Sequence, residues 1–329
     1  MSFRWVYTEP RLERSVSEMA AALNIPEQIS RLLVLRGIDS FEEAKRFFRP
    51  ESESLYDPFL MKDMEPAASR LSSAIRNSER IVIYGDYDVD GTTATSILYT
   101  FLKRFGLDVH YYIPHRFKEG YGINPDGIRF ASKVNADLIV SVDCGITAID
   151  EAKYASDQGI DLIICDHHTV GDELPDAVAV LDPKRPDCAY PFDGLSGAGV
   201  GFKLVQATVS KLGLSDELPY EYLDLVAISI ASDIVPIVDE NRILMRMGLN
   251  LINSRPRVGV RALLEKIRIP PGTVSTTSIV FSVGPRINAA GRMGDATAAV
   301  ELMIAEDPAL ARQYAAELEE INIRRRSTD

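Results

Sequence analysis

Asp86, Asp88 and Asp90 fall within five positions of one another in the stretch IVIYGDYDVDGTTATS, Ile81 to Ser96. At ~4 Å, two like charges repel by about 4 kcal/mol even at an effective dielectric near 20, so a cation is the natural occupant of the space between them. A calcium loop is the simplest version, because D-x-D-x-D-G matches its opening pattern. It fails on both sides. The position that should carry a bidentate Glu is Ile97. The residues in front, IVIY, are a β-branched run ending at Gly85, which reads as a buried strand and not as a helix. What remains is a strand, an acidic turn, and a helix expected to start at Thr92 or Thr93 and to repeat apolar residues at Ile97, Leu98, Phe101, Leu102 and Phe105. The carboxylates therefore lie at the carboxyl end of a strand, where open α/β sheets place their ligand sites.

Further segments have the same character. LIVSVDCG contains Asp143, LIICDHH delivers Asp166, His167 and His168, and Asp233 interrupts the apolar run AISIASDIVPIV, where an unpaired carboxylate would be costly to bury. Taken singly, each has a plainer reading: a solvated turn, a helix cap at Asp143, a pair of surface histidines. Together, at the ends of expected strands, they describe a hard site of carboxylates with few histidines and no thiolate, which suits Mn²⁺ or Mg²⁺ better than a structural zinc. Carboxylates shared between two ions are the arrangement that two-metal phosphoesterases use to activate water and stabilise the leaving oxygen.

The elements that must position these residues follow from periodicity. Residues 1–60 read as a small amino-terminal helical cap, with SVSEMAAAL, PEQISRLLVLRG and SFEEAKRFFRP in helical spacing and Ser40 with Glu43 as a capping box. From Ser78 strands alternate with helices: ERIVIYG, the helix to Phe105, DVHYYIP, a helix near Gly127 to Val134, ADLIVSVDCG, a helix from Ala148 to Gln158, IDLIICDHH and DAVAVLDP. Such alternation predicts an α/β fold with a mostly parallel, doubly wound sheet. After about Ser196 the pattern becomes a helical carboxyl-terminal part. SGAGVGFK, Ser196 to Lys203, looks like a nucleotide loop but misses the spacing, since Phe202 stands where the second Gly should be. It reads as the tight start of a helix, with phosphate contact secondary.

Composition bounds the rest. The 329 residues, 46% of them hydrophobic, can bury a full core. MSFRWVYTEP lacks the pattern of a signal peptide and no apolar run approaches the ~18 residues of a membrane span, which makes the cytoplasm the expected compartment. Cys144, Cys165 and Cys188 form no C-x-x-C pair and read as reduced, mostly buried thiols. The net charge of −12 lacks the basic footprint of a dedicated nucleic-acid binder, although an acidic cluster changes sign locally once it holds divalent cations.

YGDYDVDG, SVDCG, the triplet DHH and ASDIVP, in this order, resemble the four metal motifs of the DHH phosphoesterase superfamily, and PHRFKEGYG and GPRINAAGRMGDA resemble its RecJ single-strand-specific exonuclease branch. The resemblance covers nearly the whole chain. It implies that Asp88, Asp90, Asp143, His167 and Asp233 hold two Mn²⁺ ions, with Mg²⁺ as the other expected ion, that Asp86 completes the acidic cluster, and that His168 faces the scissile phosphate. Tyr84 stands where related pyrophosphatases carry a metal-binding His, a departure that Asp86 is expected to compensate. Arg116, Arg286, Asn288 and Arg292 supply guanidinium and amide donors able to fork onto phosphate oxygens; without the resemblance each reads equally as a surface group.

The activity so implied is a 5′-to-3′ exonuclease on single-stranded DNA, in DNA repair and recombination, with single-strand-binding protein and helicase as partners and no membrane. The alternatives are a DHH-type oligoribonuclease or nucleotide phosphatase, and a catalytically inactive DHH scaffold, which would be expected to have lost ligands that this sequence keeps. The expected domains are the cap at 1–60, the catalytic domain at 61–305 and the start of a linking helix at 306–329. The DHH-associated and oligonucleotide-binding domains of the family are expected to be absent downstream, the chain ending in mid-helix at ELEEINIRRRSTD.

Overall fold

The computed structural model describes Arg4, Val6 and residues 13–328. The opening of the expected cap, MSFRWVYTEP apart from Arg4 and Val6, lies outside the described residues, as does Asp329. The chain divides into two compact units, Met1–Leu55 and Tyr56–Asp329. In the first, helices α1 (Glu13–Leu23), α2 (Glu27–Val34) and α3 (Phe41–Phe48) bury Val16, Met19, Leu33 and Ala44. The Ser40 hydroxyl accepts from Glu43 N and the Glu43 carboxylate accepts from Ser40 N, so the capping box is formed.

The second unit is built on a five-stranded sheet of β1 (Ile81–Gly85), β2 (Val109–Tyr112), β3 (Leu138–Val142), β4 (Asp161–Cys165) and β5 (Ala179–Leu181), in the order β2-β1-β3-β4-β5 with every pairing parallel. Because side chains alternate along a strand, Val82, Tyr84, Ile139, Leu162 and Ile164 share one face, where they pack with Ile128 and Ala131 of α6 (Pro125–Lys133) and Ala152 and Ala155 of α7 (Ile149–Asp157). Ile81, Ile83, Val140 and Ile163 alternate to the other face and are fully buried. That side meets α4 (Met64–Arg76), α5 (Val89–Lys103) and α8 (Gly197–Leu212). The sheet is thus covered on both sides, which is what continuous apolar strands require. Beyond α8 the chain is helical: α9 (Leu223–Ser232), α10 (Asp239–Ser254), α11 (Val258–Lys266), then the helices Gly284–Met293, Thr297–Ile304 and Pro308–Thr328. Among the described residues no helix is long and apolar enough to cross a membrane.

One boundary differs from the sequence expectation in a way that matters for the site. The helix after the acidic turn starts at Val89 and not at Thr92 or Thr93, with Asp88 as its cap accepting from Gly91 N at 3.0 Å. The threonines look like caps but are buried inside the helix, where their hydroxyls donate back to the carbonyls of Asp88 (2.6 Å) and Val89 (2.7 Å). Asp90 therefore lies in the first helical turn and not in a loop.

Candidate metal centre

Sheet register builds the site. Gly85, Val142, Cys165 and Leu181 stand side by side across β1, β3, β4 and β5, so the residues that follow them, Asp86, Asp143, Asp166 and Asp182, line one edge. Asp86 and Asp143 flank the point between β1 and β3 where the strand order reverses, the place where such sheets bind ligands. Asp233 reaches the same edge from the end of α9. Gly197 brings the start of α8 against it: a Cβ there would stand 2.8 Å from Asp143 Oδ1.

SGAGVGFK is the tight start of a helix, as expected, with Ser196 as its cap. Its first free amides serve a carboxylate and not a phosphate: Asp90 accepts from Gly197 N at 2.6 Å, from Ala198 N at 2.8 Å and from the Ser229 hydroxyl at 2.7 Å. Ser196 Oγ takes Gly199 N at 3.1 Å. A helix N-terminus favours negative charge, so this cradle suits a carboxylate and fixes the direction of Asp90.

The groups of the motifs come together. His167 Nε2 lies 3.1 Å from Asp143 Oδ1, 3.5 Å from Asp90 Oδ2 and 3.7 Å from Asp233 Oδ2. Three sets of donor atoms each fall within 4.8 Å: Asp86 with Asp88 and Asp143, Asp90 with His167 and Asp233, and Asp143 with His167 and His168. Asp143 and His167 each belong to two sets. Asp86 Oδ1 is buried with no hydrogen-bond partner, an unmet acceptor of the kind a hard cation satisfies. Cys144, next to Asp143, does not compete as a soft ligand, because burial pushes its thiol well up and keeps it protonated. The donor set therefore fits Mn²⁺ or Mg²⁺. Tyr84 takes no part: it is fully buried and donates to the Gly122 carbonyl at 3.0 Å.

His168 differs from His167. Its side chain is 45% exposed, and Nδ1 meets the carboxylate of Asp166 at 2.7 Å, which makes Nδ1 the donor and holds the ring's pKa up. Asp166 is itself anchored by the amides of Ile146 (2.8 Å) and His167 (2.7 Å). Tyr121 OH touches His168 Nδ1 at 3.1 Å and the Asp143 carbonyl at 3.0 Å. Asp166 and Tyr121 stand inside the quoted motifs DHH and PHRFKEGYG, yet only the fold shows that both orient His168. Ser229, in AISIASD, carries no signal of its partner in the sequence.

The cation-free cluster is electrostatically unfavourable. Burial, then Asp88, pushes the Asp86 carboxyl up to about 7; burial, then Asp90 and Asp88, does the same for Asp233. Burial pushes His167 down. A carboxyl raised from 3.8 in the folded state contributes stability that is present below that value and is lost as pH rises toward the folded pKa. The metal-free protein should therefore melt progressively lower as pH rises from about 4 toward about 7, with the lowered His167 opposing the trend only below its usual 6.5, and Mn²⁺ should reverse the loss by binding the folded state. Thermal unfolding of the dialysed protein across this window checks it; a melting temperature that climbs instead would contradict the crowding of these carboxyls.

The four expected phosphate-binding residues other than His168 are placed differently. Arg116 is exposed and its guanidinium lies 5.1 Å from the ring of Tyr87, within the acidic turn. A Cβ at Gly291 would stand 2.0 Å from Tyr87 O, so the Gly284–Met293 helix packs on the same turn, with Arg292 exposed and Asn288 half-buried on it. Arg286 is committed elsewhere: its guanidinium pairs with Glu319 of the Pro308–Thr328 helix and donates to the Ser282 carbonyl.

Comparison with known proteins agrees with this geometry. The family model described as the DHH family, N-terminal domain, matches residues 80–230. A protein of Bacillus subtilis named single-stranded-DNA-specific exonuclease RecJ is 42% identical over 319 residues, which cover 97% of this chain and 40% of that protein. The Escherichia coli protein of the same name is 34% identical, with 96% of this chain and 56% of that protein covered. The crystal structure of RecJ in complex with Mn²⁺ from Thermus thermophilus superposes with a TM-score of 0.84 at 32% identity, covering 98% of this chain and 46% of that one. A crystal structure of exonuclease RecJ bound to manganese gives a TM-score of 0.75 at 38% identity over 81% of this chain and 67% of that one. The chain thus spans about half the length of the curated relatives it matches.

Proposed function

The chain belongs to the DHH family, in its RecJ branch, and from that premise we propose that it is a metal-dependent exonuclease that removes nucleotides from the 5′ end of single-stranded DNA. The observation that carries the reading is the sharing of Asp143 and His167 between donor sets at one sheet edge. Asp86, Asp88, Asp90, Asp143, His167 and Asp233 would hold two Mn²⁺ or Mg²⁺ ions. When bound, such ions lower the pKa of a water and offset charge on the leaving oxygen.

The remaining tasks fall to the chain's own groups. His168, its pKa held up by the Asp166 carboxylate, donates to a phosphate oxygen from the open side of the centre. Tyr121 fixes the ring's direction. Arg116, Asn288 and Arg292, grouped around Tyr87, hold the neighbouring phosphates, and Arg286 joins them only by exchanging one of its partners. Single-strand-binding protein and helicase are the partners this reading carries, with DNA repair and recombination in the cytoplasm as its setting. We assign the cap to 1–60, the catalytic domain to 61–305 and the start of a linking helix to 306–329.

Digestion of 5′-labelled and 3′-labelled single strands in Mn²⁺, side by side, tests the reading. The 5′ label should leave as a mononucleotide from the earliest times while the 3′-labelled strand shortens stepwise. The reverse pattern would overturn the direction. Turnover confined to dinucleotides or nucleoside bisphosphates would instead favour the oligoribonuclease or phosphatase alternative, and none on any substrate would favour the scaffold.

A further inference from the structure

The loop that carries Asp233 into the centre holds a costly backbone. Ile234, the next residue, has φ 62°, in the left-handed region where a β-branched side chain is an outlier, and it is 87% exposed. Its own packing cannot hold it there. Such a conformation persists only where the surroundings over-determine it.

Asn241 pins the same loop two residues further on. It is fully buried in the first turn of α10, and its Nδ2 donates to the Pro236 carbonyl at 3.0 Å and to the Gly194 carbonyl at 2.6 Å. Both partners are acceptors, which fixes the amide with its nitrogen toward them. Pro236 belongs to the Asp233 loop. Gly194 precedes Ser196, the cap of α8, whose first amides cradle Asp90. One side-chain amide thus ties the backbone that aims Asp233 to the backbone that aims Asp90. The turn bearing it is anchored by Glu240, whose carboxylate meets Lys203 Nζ at 2.6 Å and Tyr190 OH at 2.5 Å.

We propose that Asn241 is a positioning residue that sets the spacing of Asp90 and Asp233, and through it the affinity of the cation held by Asp90, His167 and Asp233. Asp86 and Asp143 directly follow β1 and β3, and neither of the two carbonyls that Asn241 holds belongs to those strands. The proposal rests on the two-ion reading given above.

Mn²⁺ titration of the metal-free full chain, followed by calorimetry and by electron paramagnetic resonance, tests it in Asn241→Ala and Asn241→Ser, with unfolding monitored in the same samples. Wild type should bind two ions and show the spectrum of a coupled pair. Each folded variant should keep one ion at wild-type affinity, weaken the other by about 10–100-fold, the usual cost of losing a support behind a metal ligand, and show a weakened coupled spectrum at two equivalents. Two ions at wild-type affinity in a folded variant would overturn the proposal. So would equal loss of both ions, or failure of both variants to fold, since either places Asn241 in the fold at large and not in the aim of one ligand pair. A wild-type chain that takes up no Mn²⁺ would refute the two-ion reading itself, and this proposal with it.

Discussion

Asp143→Asn should reduce Mn²⁺-dependent hydrolysis by roughly 10³-fold or more if the two-ion reading holds, since loss of a ligand shared by two ions would forfeit several kcal/mol of transition-state stabilisation at about 1.4 kcal/mol per decade. The substitution is chosen to spare the fold. Asp143 holds φ 60°, a conformation that Asn tolerates as well as Asp, and the amide keeps the volume against which Gly197 packs. Burial, followed by Asp90, Asp88 and Asp86, pushes the Asp143 carboxyl well above its usual range, so removing its charge relieves repulsion. The metal-free variant should melt no lower than wild type, while the rise in melting temperature on adding Mn²⁺ should shrink. Near-normal turnover in the folded variant would remove Asp143 from the centre and the two-ion reading with it.

Lys203→Met should produce the largest loss of stability, about 3–5 kcal/mol, because it strands a buried carboxylate. Lys203 and Glu240 are both fully buried, with Nζ 2.6 Å from Glu240 Oε1 and 2.9 Å from the Tyr56 carbonyl. Glu240 also accepts from Tyr56 N at 2.9 Å. Burial lowers the pKa of Lys203 and the partner carboxylate opposes that fall. Met matches the aliphatic stem but leaves Glu240 without its cation. A loss of that size is a large share of a domain's usual 5–15 kcal/mol. Urea unfolding of the metal-free protein reads it directly; a cost under about 1 kcal/mol, typical of an exposed pair, would mean that water reaches the network in solution.

The local pattern decided much of this protein. A β-branched run ending in glycine reads as a buried strand end, and apolar spacing distinguishes the helices between strands, because both signals depend on residues within a few positions of each other. The sequence therefore placed Asp86, Asp143 and the DHH triplet at strand ends, marked Asp233 as a carboxylate with no business in an apolar run unless partnered, and showed by the misplaced Phe202 that SGAGVGFK is not a P-loop. Periodicity is silent about strand order. That β1 lies between β2 and β3, bringing Asp86 beside Asp143, is settled by how helices cover both faces of the sheet. Hydrogen-bond partners distant in the chain are equally invisible: the α8 amides that hold Asp90, the Glu319 carboxylate that engages Arg286, and the two carbonyls that Asn241 clamps. The threonines of α5 show why even a boundary can mislead, since a hydroxyl that caps a helix in one context bonds back into it once the whole turn is buried. Which residues could bind a cation was a matter of type and spacing; which way each of them points was decided by contacts that exist only after the strands have paired and the helices have packed.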